Sequence, residues 1–70
     1  MRFETGNMYY NMFKDTKNAF VVDEVLSQGA NGADLIVTWF QKTDDGRYIS
    51  IGIDGEFHVP KEQIPYYMEV

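Results

Sequence analysis

Ser50, Glu56 and His58 are the residues whose types invite a nucleophile-and-base reading. If Ser50 lies across a hairpin from His58, Glu56 projects on the same face two residues earlier and the three become neighbours. Acyl-transfer chemistry also needs an acid that orients the base and donors for an oxyanion. No segment supplies those donors, so the expectation is a solvated polar cluster and not an enzyme. Asp44-Asp45-Gly46 and Asp54-Gly55-Glu56 place hard oxygen donors in turns. They lack the D-x-D-x-D-G spacing and distal glutamate of a calcium loop. Asp-Gly is explained by turn backbone alone, and a lone histidine without cysteines offers zinc too little, so neither metal nor cofactor is expected. Arg2, Lys14 and Lys17 interleave with Phe3, Tyr9, Tyr10 and Phe13, a combination that can stack bases and neutralise phosphates. Three cations are few for that task.

The charge pattern decides further. Eleven acidic and six basic residues among 70 give a net charge of −5. All of the excess lies between Asp23 and Glu56, where seven acids face only Lys42 and Arg47. That stretch repels phosphate backbones and attracts basic protein surfaces, so direct nucleic-acid binding is not expected. A chain this short, 44% hydrophobic and 16% aromatic, builds one small domain, with residues 1–18 as an N-terminal segment and 19–70 as the core. The absence of cysteine suggests a reducing compartment. No apolar leader opens the sequence and nothing approaches the roughly 18 uninterrupted apolar residues of a spanning helix. The expectation is a soluble, cytoplasmic protein.

The elements that must position these groups are mostly β. Runs of β-branched and aromatic residues separated by Gly and Asp clusters predict strands at Ala19–Leu26, Asp34–Gln41, Arg47–Ile53, Glu56–Val59 and Tyr66–Val70. One short 3₁₀ turn is expected near residues 60–64, between Pro60 and Pro65. Three-residue hairpins at Asp44-Asp45-Gly46 and Ile53-Asp54-Gly55 would put every large apolar group on one face. That core face holds Leu35, Val37, Trp39, Ile49, Ile51, Phe57 and Val59. Phe20, Val22 and Leu26 join it from the first strand, and Tyr66, Met68 and Val70 from the last, leaving Tyr67 outside.

The opposite face follows by subtraction. Phe40, Ser50 and His58 form one row, Thr38, Gly52 and Glu56 the next, with Ile36 beyond and Tyr48 beside Lys42. Small Ser50 and Gly52 leave a shallow trough rimmed by Phe40, Tyr48 and His58. Either the apolar segment Met8–Phe13 covers it as a lid or it stays open for a partner.

The segment Ile53-Asp54-Gly55-Glu56-Phe57-His58-Val59-Pro60-Lys61-Glu62-Gln63-Ile64 resembles the end of an SH3-like small barrel: tight hairpin, short strand, apolar-Pro pair, 3₁₀ turn, closing strand. The resemblance implies a single small SH3-like barrel or strongly curled antiparallel sheet of about five strands. It does not imply a proline-rich ligand, since an ALYDY-like stretch is absent and Tyr48 stands where a ligand-contacting tryptophan is usual.

These readings converge on a non-enzymatic protein-protein interaction module, a small accessory or inhibitory protein acting on a larger assembly. Its contact residues would be Ile36, Phe40, Tyr48 and His58, with Asp44, Asp45 and Glu56 steering a basic protein partner, or a second copy in a homodimer. The alternatives are an acidic nucleic-acid mimic that inhibits a nucleic-acid-binding enzyme, of the kind met in viruses and mobile elements, and a small ligand-binding barrel.

Overall fold

The computed structural model describes residues 2–70. It is mainly β: β1 (Met8–Asn11), β2 (Asp15–Gly29), β3 (Gly32–Lys42), β4 (Tyr48–Val59), a 3₁₀ turn (Ile64–Tyr66) and β5 (Tyr67–Glu69). All five strands form one antiparallel sheet in the order β4-β3-β2-β1-β5. The sheet is strongly curled. The Phe20 ring on β2 lies within 6.1 Å of the rings of Phe3, Tyr9, Trp39, Phe57 and Tyr67, which arrive from both flanks of the sheet.

Bulges do the bending. Along β2 the pairing sum with β3 shifts once between Val22 and Glu24 and again between Val25 and Ser27, so Asp23 and Leu26 are the extra residues. A single inserted residue reverses which side chains face inward. Val22 points into the core, then Val25 opposite Leu35, then Gln28 opposite buried Ala33. Leu26, expected in the core, is therefore exposed. Inward-facing Gln28 grips the backbone of Phe3 twice: its Oε1 accepts from the Phe3 N–H (2.6 Å) and its Nε2 donates to the Phe3 carbonyl (3.1 Å). That clamp holds the Phe3 ring in the core.

The expected hairpin at Ile53-Asp54-Gly55 does not form, and β4 runs unbroken from Tyr48 to Val59. Phe40 pairs with Ser50 while Thr38 pairs with Asp54, so β4 spends two more residues than β3 over this interval. They sit in a bulge at Ile51–Ile53 opposite Trp39, centred on Gly52 at φ +74°. A two-residue excess preserves parity. Phe57 thus reaches the core side opposite Leu35, and Val59 opposite Ala33, without a second hairpin. Ile49 keeps the core side opposite Gln41, Ile51 and Ile53 flank Gly52 in the bulge, and all three are exposed.

The Asp44-Asp45-Gly46 turn closes as expected: Thr43 N–H donates to the Arg47 carbonyl (2.7 Å) and Gly46, at φ +86°, donates to the Thr43 carbonyl. At the other tip Gly29 pairs with Gly32 around Ala30-Asn31. Gly32 is irreplaceable there, since a Cβ would stand 2.3 Å from the Val59 carbonyl oxygen.

Two expectations about the ends are corrected. Residues 8–11 are not a lid over the outer face; they pair with β2 and β5, and Tyr9 enters the core from within the sheet. The 3₁₀ turn starts later than expected, with Pro65 in its first turn, where a missing N–H costs nothing. In β5 Tyr67 pairs with buried Asn11 and is itself buried, while Tyr66, Met68 and Val70 are exposed.

Candidate functional site

Continuity of β4 dissolves the Ser50, Glu56, His58 cluster. Ser50 pairs with Phe40 and His58 with Asp34, six residues from each other along β3 and therefore roughly 20 Å away. His58 Nδ1 donates instead to Asp34 Oδ1 (2.7 Å), and Ser27 Oγ donates to Asp34 Oδ2 (3.0 Å). The carboxylate sits between hydroxyl and imidazole, so the histidine takes no proton from this serine. The hydrogen bond from His58, then that from Ser27, holds the Asp34 carboxyl below the usual carboxylate range.

The expected contact residues fall into separate groups on the outer face. Ile36, Phe40 and Tyr48 are half-buried along the β3–β4 ladder, opposite Glu56, Ser50 and Lys42 respectively. His58 lies at the far end and does not rim a trough with Phe40 and Tyr48. Glu56 is exposed two residues from it. Asp44 and Asp45 occupy the tip of the turn, where Asp45 serves the loop itself: Thr43 Oγ1 and Arg47 Nε donate to its two carboxylate oxygens. Those bonds, Thr43 first, keep the Asp45 carboxyl below its ordinary value. Thr38 Oγ1 donates to Asp23 Oδ2 (2.5 Å), which brings Asp23 to the outer face as well. Among the described residues no three His, Asp or Glu side chains gather closely enough to hold a metal ion.

Sequence reasoning missed the open half of the core side. Ile49, Ile51 and Ile53, 52%, 38% and 56% exposed, line the N-terminal half of β4, an edge strand with β3 as its one neighbour. Half-buried Trp39 lies opposite the Ile51–Ile53 bulge. Beside it opens a cleft of about 250 Å³, floored by Phe20, Trp39, Phe57 and Tyr67, with Lys14 and Asp15 on its wall. That is below the roughly 300–1,000 Å³ of small-molecule sites and suits a single side chain better than a cofactor. The signal for this region was present: two glycines three residues from each other inside a strand-like run, Gly52 and Gly55, mark bulges as readily as turns.

The wall is built by local hydrogen bonding. Asn11 Oδ1 accepts from the Phe13 and Lys14 amides, and Asp15 Oδ1 from the Lys17 and Asn18 amides. Burial works to raise the Asp15 carboxyl, but bonds from the Asn18 side chain and these amides outweigh it and hold it below its ordinary value. Burial pushes the Tyr67 hydroxyl upward, partly countered by its bond with Asn11. No buried side-chain nitrogen or oxygen among the described residues lacks a partner. Asn11, Asp15 and Asn18 around the cleft are thus committed to structure, and its floor is aromatic.

No family model, no curated protein and no solved structure matches this chain. Among the described residues no helix is long and apolar enough to cross a membrane.

Proposed function

We propose that this chain is a non-enzymatic protein-interaction module, an accessory or inhibitory protein that acts on a larger assembly. One observation carries the reading: three isoleucines at alternate positions stay in water along an edge strand of a strongly acidic chain. Exposed apolar rows of this kind on small domains mark contact sites, and the surrounding carboxylates favour a basic partner. The half-buried Phe40, Ile36 and Tyr48 row adds a lesser apolar surface on the outer face. The same reading takes the sheet as an SH3-like small barrel, on the strength of Val59-Pro60, the 3₁₀ turn and the closing strand that follow β4.

A second reading, nucleic-acid mimicry, draws support from the gathering of Asp23, Asp34, Asp54 and Glu56 on the outer face. One capture experiment separates the two, using nuclease-treated lysate at low and high salt. The interaction reading expects a stoichiometric partner that Ile49→Asp/Ile51→Asp loses and that survives added DNA. Mimicry expects capture that ignores those changes, collapses with salt and is displaced by DNA. Absence of any partner under all conditions sinks both.

A further inference from the structure

The two edges of the sheet are unlike. β5 is three residues long, whereas β4 offers a twelve-residue edge with β3 as its one partner. Native edges are guarded by lysine, proline, inward charges or bulges because unpaired backbone groups recruit other strands, and on β4 the one such device within Tyr48–Ile53 is the bulge at Ile51–Ile53. Between Tyr48 and Val59 there is no Lys, Arg or Pro, and from Tyr48 to Ile53 there is no charge at all. The side chains of this edge are sorted as well. Ile49 keeps the core side opposite Gln41, Ser50, Asp54 and Glu56 keep the outer side, and exposed Ile51 and Ile53 flank Gly52 in the bulge between them.

Resting on the interaction reading above, we infer that the Tyr48–Glu56 edge binds its partner by strand addition, and that the partner segment is an extended peptide alternating apolar residues with Lys or Arg. Main-chain hydrogen bonds to β4 would supply affinity, and the alternation would supply specificity. Apolar side chains of the added strand extend the isoleucine row beside Trp39. Basic side chains on its other face meet Asp54 and Glu56. A second copy of this chain fits less well, because each protomer would bring the same carboxylates and the same net charge of −5 to the seam.

The test uses capped heptapeptides and the full chain. A Val-Lys-Val-Lys-Val-Lys-Val peptide is titrated against ¹⁵N-labelled protein, alongside its Val-Glu counterpart and a form N-methylated at every residue, which keeps the side chains but donates no backbone hydrogen bond. The expected result is saturable shifts and slowed amide exchange at residues 48–56, with affinity at least tenfold lower for both controls and for Ile51→Lys protein of unchanged fold. Equal binding of the N-methylated peptide overturns strand addition while leaving the interaction reading intact. Shifts confined to β5 or to the Phe40 row overturn it too, as does failure of the parent peptide to saturate. Sedimentation as a dimer with β4 amides already protected makes a second copy the occupant and overturns the assignment.

Discussion

β4 belongs to two environments. From Gly55 to Val59 it lies over the core: Phe57 packs against Phe20 and Trp39 with ring centres 5.2 and 5.1 Å away, and Val59 is fully buried. From Tyr48 to Ile53 it carries three isoleucines of equal or greater apolarity, one opposite Gln41 and two in the bulge, and they remain in water. Hydrophobicity and parity choose the face of a strand; they do not provide a second layer. Here Phe3, Tyr9 and Tyr67 supply that layer over one half alone.

The largest effect that would break this comparison is in stability. Phe20→Ala empties the point where five rings converge and is expected to cost about 3–5 kcal/mol, whereas Ile51→Ser should stay within about 0.5 kcal/mol. Urea unfolding followed by tryptophan fluorescence measures both. A comparable loss from Ile51→Ser would mean that the open half is packed after all. Next come the glycines, both at positive φ. Gly32→Ala drives a Cβ into the Val59 carbonyl and should cost at least about 2 kcal/mol. Gly52→Ala meets no atom within 4 Å and should cost about 1 kcal/mol, from backbone strain alone.

The smallest effect is acid dependence at the cleft wall. The Asp15 carboxyl titrates below its ordinary value in the folded chain, so the folded state binds that proton less readily than the unfolded state. Its contribution is complete above about pH 4 and disappears as pH falls through the lower folded value. Asp15→Asn should therefore flatten the fall of the urea midpoint below pH 4. A slope identical to wild type would show that Asp15 holds nothing in place.

Much of the fold was legible where local chemistry is decisive. The Asp44-Asp45-Gly46 turn, the pairing of Gln41 with Ile49, and the inward positions of Phe20, Val22, Leu35, Val37 and Val59 follow from turn preference and period-2 alternation. The rest depended on insertions that alternation does not encode. Bulges at Asp23 and Leu26 swap Val25 for Leu26, and a bulge around Gly52 replaces the apparent hairpin in one continuous strand. The candidate site suffered most, because it was assembled from residues across that supposed hairpin. Ile36, Phe40 and Tyr48 share a row, but His58 was carried to the other end by the unbroken strand. Tyr67 exchanged places with its neighbours: it pairs with buried Asn11 of β1, a strand that the expected elements did not include.

The pairing of β1 with β5 bears on the order of assembly. β2, β3 and β4 are consecutive and joined by tight turns, so their ladders close short loops and can form early. β1 is flanked on its far side by residues 67–69, more than fifty positions away, and the Val70 amide donates to the Met8 carbonyl beside that seam. The Tyr67 side of the aromatic layer thus closes across the longest loop in the sheet. Until β5 arrives, the meander holds an incomplete interior whose whole concave side resembles what the isoleucine half keeps permanently.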